Sequence, residues 1–74
     1  MTLDQAKIGN IYKIKKLNCT GNIRRRLLDL GIVPSTQIIP IFTNPFKSPT
    51  AYQVRGTTIA LRTEDAKDIE VVVI

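Results

Sequence analysis

A chain of 74 residues, 43% hydrophobic and 23% charged, makes one globular domain and leaves no room for a second. It has no histidine and one cysteine, Cys19, which removes Ser-His-Asp and Cys-His catalysis, most zinc sites and any internal disulfide. Net charge is +5, and seven Lys or Arg against Asp4 make residues 1–26 +6, so the basic first third suggests an anionic partner: nucleic acid, a phosphate-rich surface or an acidic protein face.

Gly9-Asn10 signals a turn. Ile11, Tyr12 and Ile14 then lead a strand over Lys13 to Leu17, whose pattern slips near Lys15-Lys16, where a bulge or an edge position fits. A helix is predicted from about Asn22 to Leu30, with Ile23, Leu27 and Leu30 as its apolar stripe and Thr20 or Asn22 as its cap. Gly31 marks its left-handed end, Ile32 can fold back on Leu27 or Leu28, and Pro34 forbids continuation. Beyond Ser35 the period becomes two: Ile39 and Ile41 alternate with Pro40, which belongs at an edge or a bulge. Asn44 to Pro49 reads as a loop stiffened by two prolines. Tyr52 and Val54, the turn Arg55-Gly56, then Ile59 and Leu61 form a hairpin signal. Thr63 to Lys67 reads as a helical turn capped by Thr63, and Ile69, Val71 and Val73 as a final strand. The expected fold over residues 1–74 is mainly β: a small SH3-like barrel of about five strands, one short α-helix (about 22–30) and a helical turn near 63–67. No apolar run approaches the roughly 18 residues of a membrane span, and the first residues lack a signal peptide's apolar core, so a soluble cytoplasmic protein without membrane insertion is expected.

Four stretches carry a resemblance. Arg26-Leu27-Leu28-Asp29-Leu30-Gly31-Ile32-Val33-Pro34 resembles the helix-to-strand signature of the ferrous iron transport protein A (FeoA) family, and Asn44-Pro45-Phe46-Lys47-Ser48-Pro49 resembles its Pro-Phe-x-x-Pro loop. Val54-Arg55-Gly56 with Ile59-Ala60-Leu61-Arg62 is similar to its hairpin, and Glu64, Ala66 and Ile69-Glu70-Val71 to its closing segment. Ser35 departs from the pattern, because the family usually places glycine there. The resemblance supports the SH3-like fold. It implies a non-enzymatic cytoplasmic accessory, peripheral to the membrane through its partner, the G-protein domain of the membrane ferrous iron transporter. The same module ends iron-dependent repressors. With the chain read from Met1 to Ile74, no DNA-reading helix-turn-helix accompanies it, which favours the free-standing transport accessory.

Six residues are the candidate protein-interaction site: Arg24, Arg25, Arg26, Pro45, Phe46 and Lys47. Three consecutive arginines on a helix stand about 100° apart and cannot all point one way. They read as a solvated helix back, as a docking face for an acidic surface, or as a phosphate contact. Phe46, between prolines, is either tucked over the barrel mouth or held out as an anchor. No catalytic group, cofactor or metal ligand is predicted. Glu64, Asp65, Asp68 and Glu70 read as a solvated acidic turn before a weak cation site, and Cys19 as inert. The alternative function is a nucleic-acid-binding or ribosome-associated SH3-like module using the basic first third. Nucleic-acid platforms interleave aromatics with their cations, however, and Tyr12, Phe42, Phe46 and Tyr52 lie away from the arginines in sequence. Stable nucleic-acid binding is therefore not expected. The Ile69 to Ile74 strand would pair weakly with a second copy if it lay on an edge.

Overall fold

In a computed structural model of the protein, residues 1–43, 46 and 49–74 are described. After a 3-10 turn at Leu3–Gln5 come β1 (Tyr12–Leu17), α1 (Gly21–Asp29), β2 (Gln37–Thr43), β3 (Thr50–Val54), β4 (Thr57–Leu61), α2 (Thr63–Ala66) and β5 (Ile69–Val73). The strands form one five-stranded antiparallel sheet in the order β4-β3-β2-β1-β5. This is the expected small SH3-like barrel.

β1 buries Tyr12, Ile14 and Leu17, and the spacing of three between the last two is absorbed by a bulge between Ile14 and Lys16, as the slipping pattern anticipated. The Tyr12 hydroxyl accepts a hydrogen bond from the Lys7 amide at 2.8 Å, so the buried ring leaves no orphan polar atom. β2 is a central strand, pairing with β1 at its start and β3 along the rest. Pro40 is tolerated there because a second bulge falls between Pro40 and Phe42. The inward residues are Ile38 and Pro40, whereas Ile39 is half-buried and Ile41 exposed, which reverses the face expected from Ile39 and Ile41.

α1 begins and ends one residue earlier than predicted. Thr20 occupies the N-cap position, but its side chain makes no capping bond. The C-terminus follows the sequence signal closely: Gly31 has φ +92°, its amide donates to the Leu28 carbonyl, and the Ile32 amide donates to Leu27, both at 3.0 Å. The predicted stripe needs correcting. Ile23 and Leu30 are 45% and 41% exposed, and the helix buries Leu27 with Leu28 half-buried beside it. The seated face is Arg24, Leu27, Leu28 and Gly31, at i, i+3, i+4 and i+7. Gly31 borders the β3–β4 hairpin, and a Cβ there would make only ordinary contacts, 3.9 Å from Arg55 and 4.0 Å from Val54, so the left-handed φ and not a close approach is what calls for glycine.

The hairpin turns on Arg55 and Gly56, both left-handed at φ +53° and +77°, the geometry of a two-residue turn that matches strand twist. In α2, Thr63 is the first helical residue and not the cap; that position belongs to Arg62, which makes no side-chain capping bond. Its carbonyl instead accepts from the Asp65 and Ala66 amides. In β5, Ile69 and Val71 enter the core, but Val73 is 63% exposed although it still pairs with Tyr12. β5 does lie at a sheet edge, partly covered by the N-terminus: Thr2 bridges Glu70, and the Val71 amide donates to Met1.

Ser35 keeps φ at +75°, the conformation that glycine adopts without strain. It is held there from both sides: its amide donates to Ile14 at 2.8 Å, and Ile14 donates to Thr36 at 2.9 Å. A left-handed non-glycine residue costs about 1–3 kcal/mol, partly offset by the smaller entropy loss of serine. Ser35→Gly should therefore raise stability by about 0.5–1 kcal/mol in a urea titration, and an unchanged or lower midpoint would show that the turn carries no strain.

Candidate interaction surface

The three arginines of α1 separate into three environments. Arg24 donates from Nη1 to the Leu17 carbonyl at 3.3 Å, which fits its place on the seated face. Arg26 pairs with Asp65 at 2.9 Å, joining α1 to α2 across 39 residues of sequence. The Asp65 side chain is only 12% exposed, so this guanidinium serves the fold. Arg25 has no hydrogen bond or ion pair among the described residues and is exposed. With Gly21, Arg24, Leu28 and Asp29 it lines a shallow groove of about 360 Å³. Of the triplet, then, Arg25 alone is free to meet a partner without breaking an internal contact.

Pro45 and Lys47 lie outside the described residues. Phe46 is 89% exposed and so is not tucked over the barrel mouth. Phe42 is 64% and Ile41 37% exposed at the end of β2. Phe42 was not among the candidates from sequence, although Pro40 carried the signal: its bulge changes the strand's phase and turns the next residues outward. The loop base is tied by Thr50 Oγ1 donating to Thr43 Oγ1 at 3.0 Å. Next to it lies a cavity of about 440 Å³ whose lining includes Lys7, Ile8, Thr43, Thr50 and Tyr52. Burial raises the pKa of the Tyr52 phenol, with the Thr50 hydrogen bond acting against it. Neither the arginines nor Phe46 is among the residues that line this cavity.

The carboxylates of residues 64–70 disperse into separate roles. Asp65 meets Arg26, while Glu70 accepts from Asn18 Nδ2 at 3.4 Å and lies 3.6 Å from Lys16. The Asn18 bond, assisted by Lys16, lowers the Glu70 pKa. Cys19 is buried in the core cluster. Among the described residues no three His, Cys, Asp or Glu come together as metal ligands, and no helix is long and apolar enough to cross a membrane.

Fold and surface together define a small SH3-like barrel that presents isolated cations and protruding aromatics to its surroundings. Residues 1–73 match the FeoA domain family, and the chain belongs to it. It is 31% identical over 71 residues to the Fe(2+) transport protein A/Fe(2+) transporter FeoB fusion protein of Porphyromonas gingivalis, covering 96% of this chain but 8% of that one. Iron(II) transport protein A from Clostridium thermocellum is 30% identical with a TM-score of 0.97, over 100% of this chain and 46% of that one. FeoA of Stenotrophomonas maltophilia, described as a prokaryotic SH3 domain protein and solved with zinc, is 28% identical with a TM-score of 0.86, over 97% and 89% of the two chains. The chain thus spans less than half the length of the first two relatives.

The arginine environments make a separable prediction. Arg26→Ala strands a largely buried carboxylate and should lower stability by about 1 kcal/mol, whereas Arg25→Ala should change it by less than about 0.5 kcal/mol. Urea denaturation of both variants checks this, and equal effects would remove the distinction between a fold arginine and a surface arginine.

Proposed function

We propose that the protein is a non-enzymatic cytoplasmic accessory of ferrous iron uptake that binds the membrane ferrous iron transporter at its G-protein domain and modulates it. The observation that carries this reading is the Porphyromonas gingivalis fusion, in which an FeoA domain and the transporter share one polypeptide. Covalent linkage raises the effective concentration of two modules and favours even weak docking between them. Docking of the barrel itself needs an anchor on its surface. Phe46, with Phe42 and Ile41 beside it in sequence, supplies desolvatable aromatic surface of the kind that dominates interface energies. Arg25 adds a rim charge that steers association more than it strengthens it.

A reading through the basic first third as a nucleic-acid module is weaker, because Arg24 and Arg26 are already bonded within the chain and no aromatic platform interleaves with them. Pull-down from nuclease-treated membranes separates the two. The transporter should co-purify with the wild-type chain, with little loss on raising salt. Phe46→Ala should reduce capture about tenfold or more while leaving the melting temperature nearly unchanged. Capture of RNA in place of the transporter, with a log-log salt slope near −0.9 per duplex phosphate contact, would reverse the assignment. A large fall in melting temperature with unchanged capture would show that Phe46 is a packing residue.

A further inference from the structure

The two edges of the sheet are treated differently. Along β5 the N-terminus covers part of the edge, through the Thr2–Glu70 bridge and the Val71 amide on Met1, and Glu70 adds a charge. Along β4, Thr57-Thr58-Ile59-Ala60-Leu61, there is neither charge, proline nor bulge, and all five residues pair regularly with β3. These are the devices by which natural sheets blunt an exposed edge. Among the described residues no backbone hydrogen bond outside that ladder reaches β4.

The hairpin turn says which backbone groups are left over. A two-residue turn at Arg55-Gly56 makes Val54 and Thr57 its hydrogen-bonded ends. Alternation then directs the amides and carbonyls of Thr57, Ile59 and Leu61 toward β3, and those of Thr58 and Ala60 outward. Both outward residues are small and exposed, so nothing bulky shields the four groups. Arg55 stands just before this strand and Arg62 just after it. Both are exposed, and neither side chain has a hydrogen bond or ion pair among the described residues.

We propose that the β4 edge is a strand-addition site for an extended partner segment that is uncharged at its centre and acidic at both ends. The added strand would take the Thr58 and Ala60 amides and carbonyls, while its terminal carboxylates meet Arg55 in the hairpin turn and Arg62 just past the strand's other end. The charges select this occupant over a second copy of the chain. Two β4 edges paired about a two-fold axis would set Arg55 of one copy near Arg62 of the other at both ends, placing like charges together. The assignment does not depend on which protein supplies the segment.

The test uses the full chain and two synthetic nine-residue peptides of alternating threonine and valine, one ended by paired aspartates, the other by paired lysines. At about millimolar concentration the acidic-ended peptide should slow amide exchange at Thr58 and Ala60 about tenfold and bind about tenfold more tightly than the lysine-ended one. Ala60→Pro removes an outward amide without touching the β3 ladder and should abolish both effects. Arg62→Glu, which needs no backbone change, leaves one cation and one anion beside the strand and should remove the preference between the peptides. Equal binding of both peptides to the wild-type chain, no protection at Thr58 and Ala60, or binding retained in a folded Ala60→Pro protein would overturn the proposal. So would protection of those amides that rises with protein concentration alone, which would make a second copy the occupant.

Discussion

β2 has to satisfy two neighbours that lie in differently directed halves of a bent sheet, and it does so with an irregularity at its centre. Its first residues pair with β1 through Gln37 and Ile38, and its later ones with β3 through Ile39 to Thr43. A regular strand would carry one phase throughout and could not accommodate a proline between two partners. The bulge at Pro40 resolves both problems, and the Pro40 carbonyl is still used, accepting from the Gly9 amide at 3.0 Å. Ile38 and Pro40 fill the inside, and the residues after the bulge turn outward. The exposed aromatics near the following loop are thus a product of how the barrel closes, and not an ornament added to it.

The same economy governs the charges. So small a barrel needs its helix held firmly, and it spends two of three adjacent arginines doing so, one on the Leu17 carbonyl and one on Asp65. Glu70 and Lys16 likewise face each other across β1 and β5. Among the described residues, the arginines not committed to the fold, Arg25, Arg55 and Arg62, sit on a helix face and at the ends of the β4 edge.

Sequence made the local devices readable. Gly31 and Pro34 stop the helix through backbone conformations that depend on single residues, and Arg55-Gly56 turns the hairpin for the same reason. What sequence concealed was mostly non-local. Hydropathy drew the helix stripe through Ile23 and Leu30, but the face that packs is marked by Leu27 and Leu28, two neighbours in a leucine pair that the pattern did not separate. The Arg26–Asp65 pair joins residues far apart in the chain, which no periodicity can reveal. Phe42 was hidden by one inserted residue, and Thr63 resembled a cap while standing one place inside its helix. Ser35 holds the left-handed geometry that the resemblance associated with glycine, so the departure is chemical and the turn survives it.

The central claim is that the exposed side chains of Ile41, Phe42 and Phe46, and no reactive group, bring this barrel to the transporter. Chemical-shift mapping of the isotopically labelled chain, titrated with the transporter's soluble G-protein domain, tests it most directly. The account predicts that the largest changes fall on Ile41, Phe42 and Phe46. Changes confined to Arg24, Arg25 and Asp29 on the helix, or a titration with no changes at all, would contradict it.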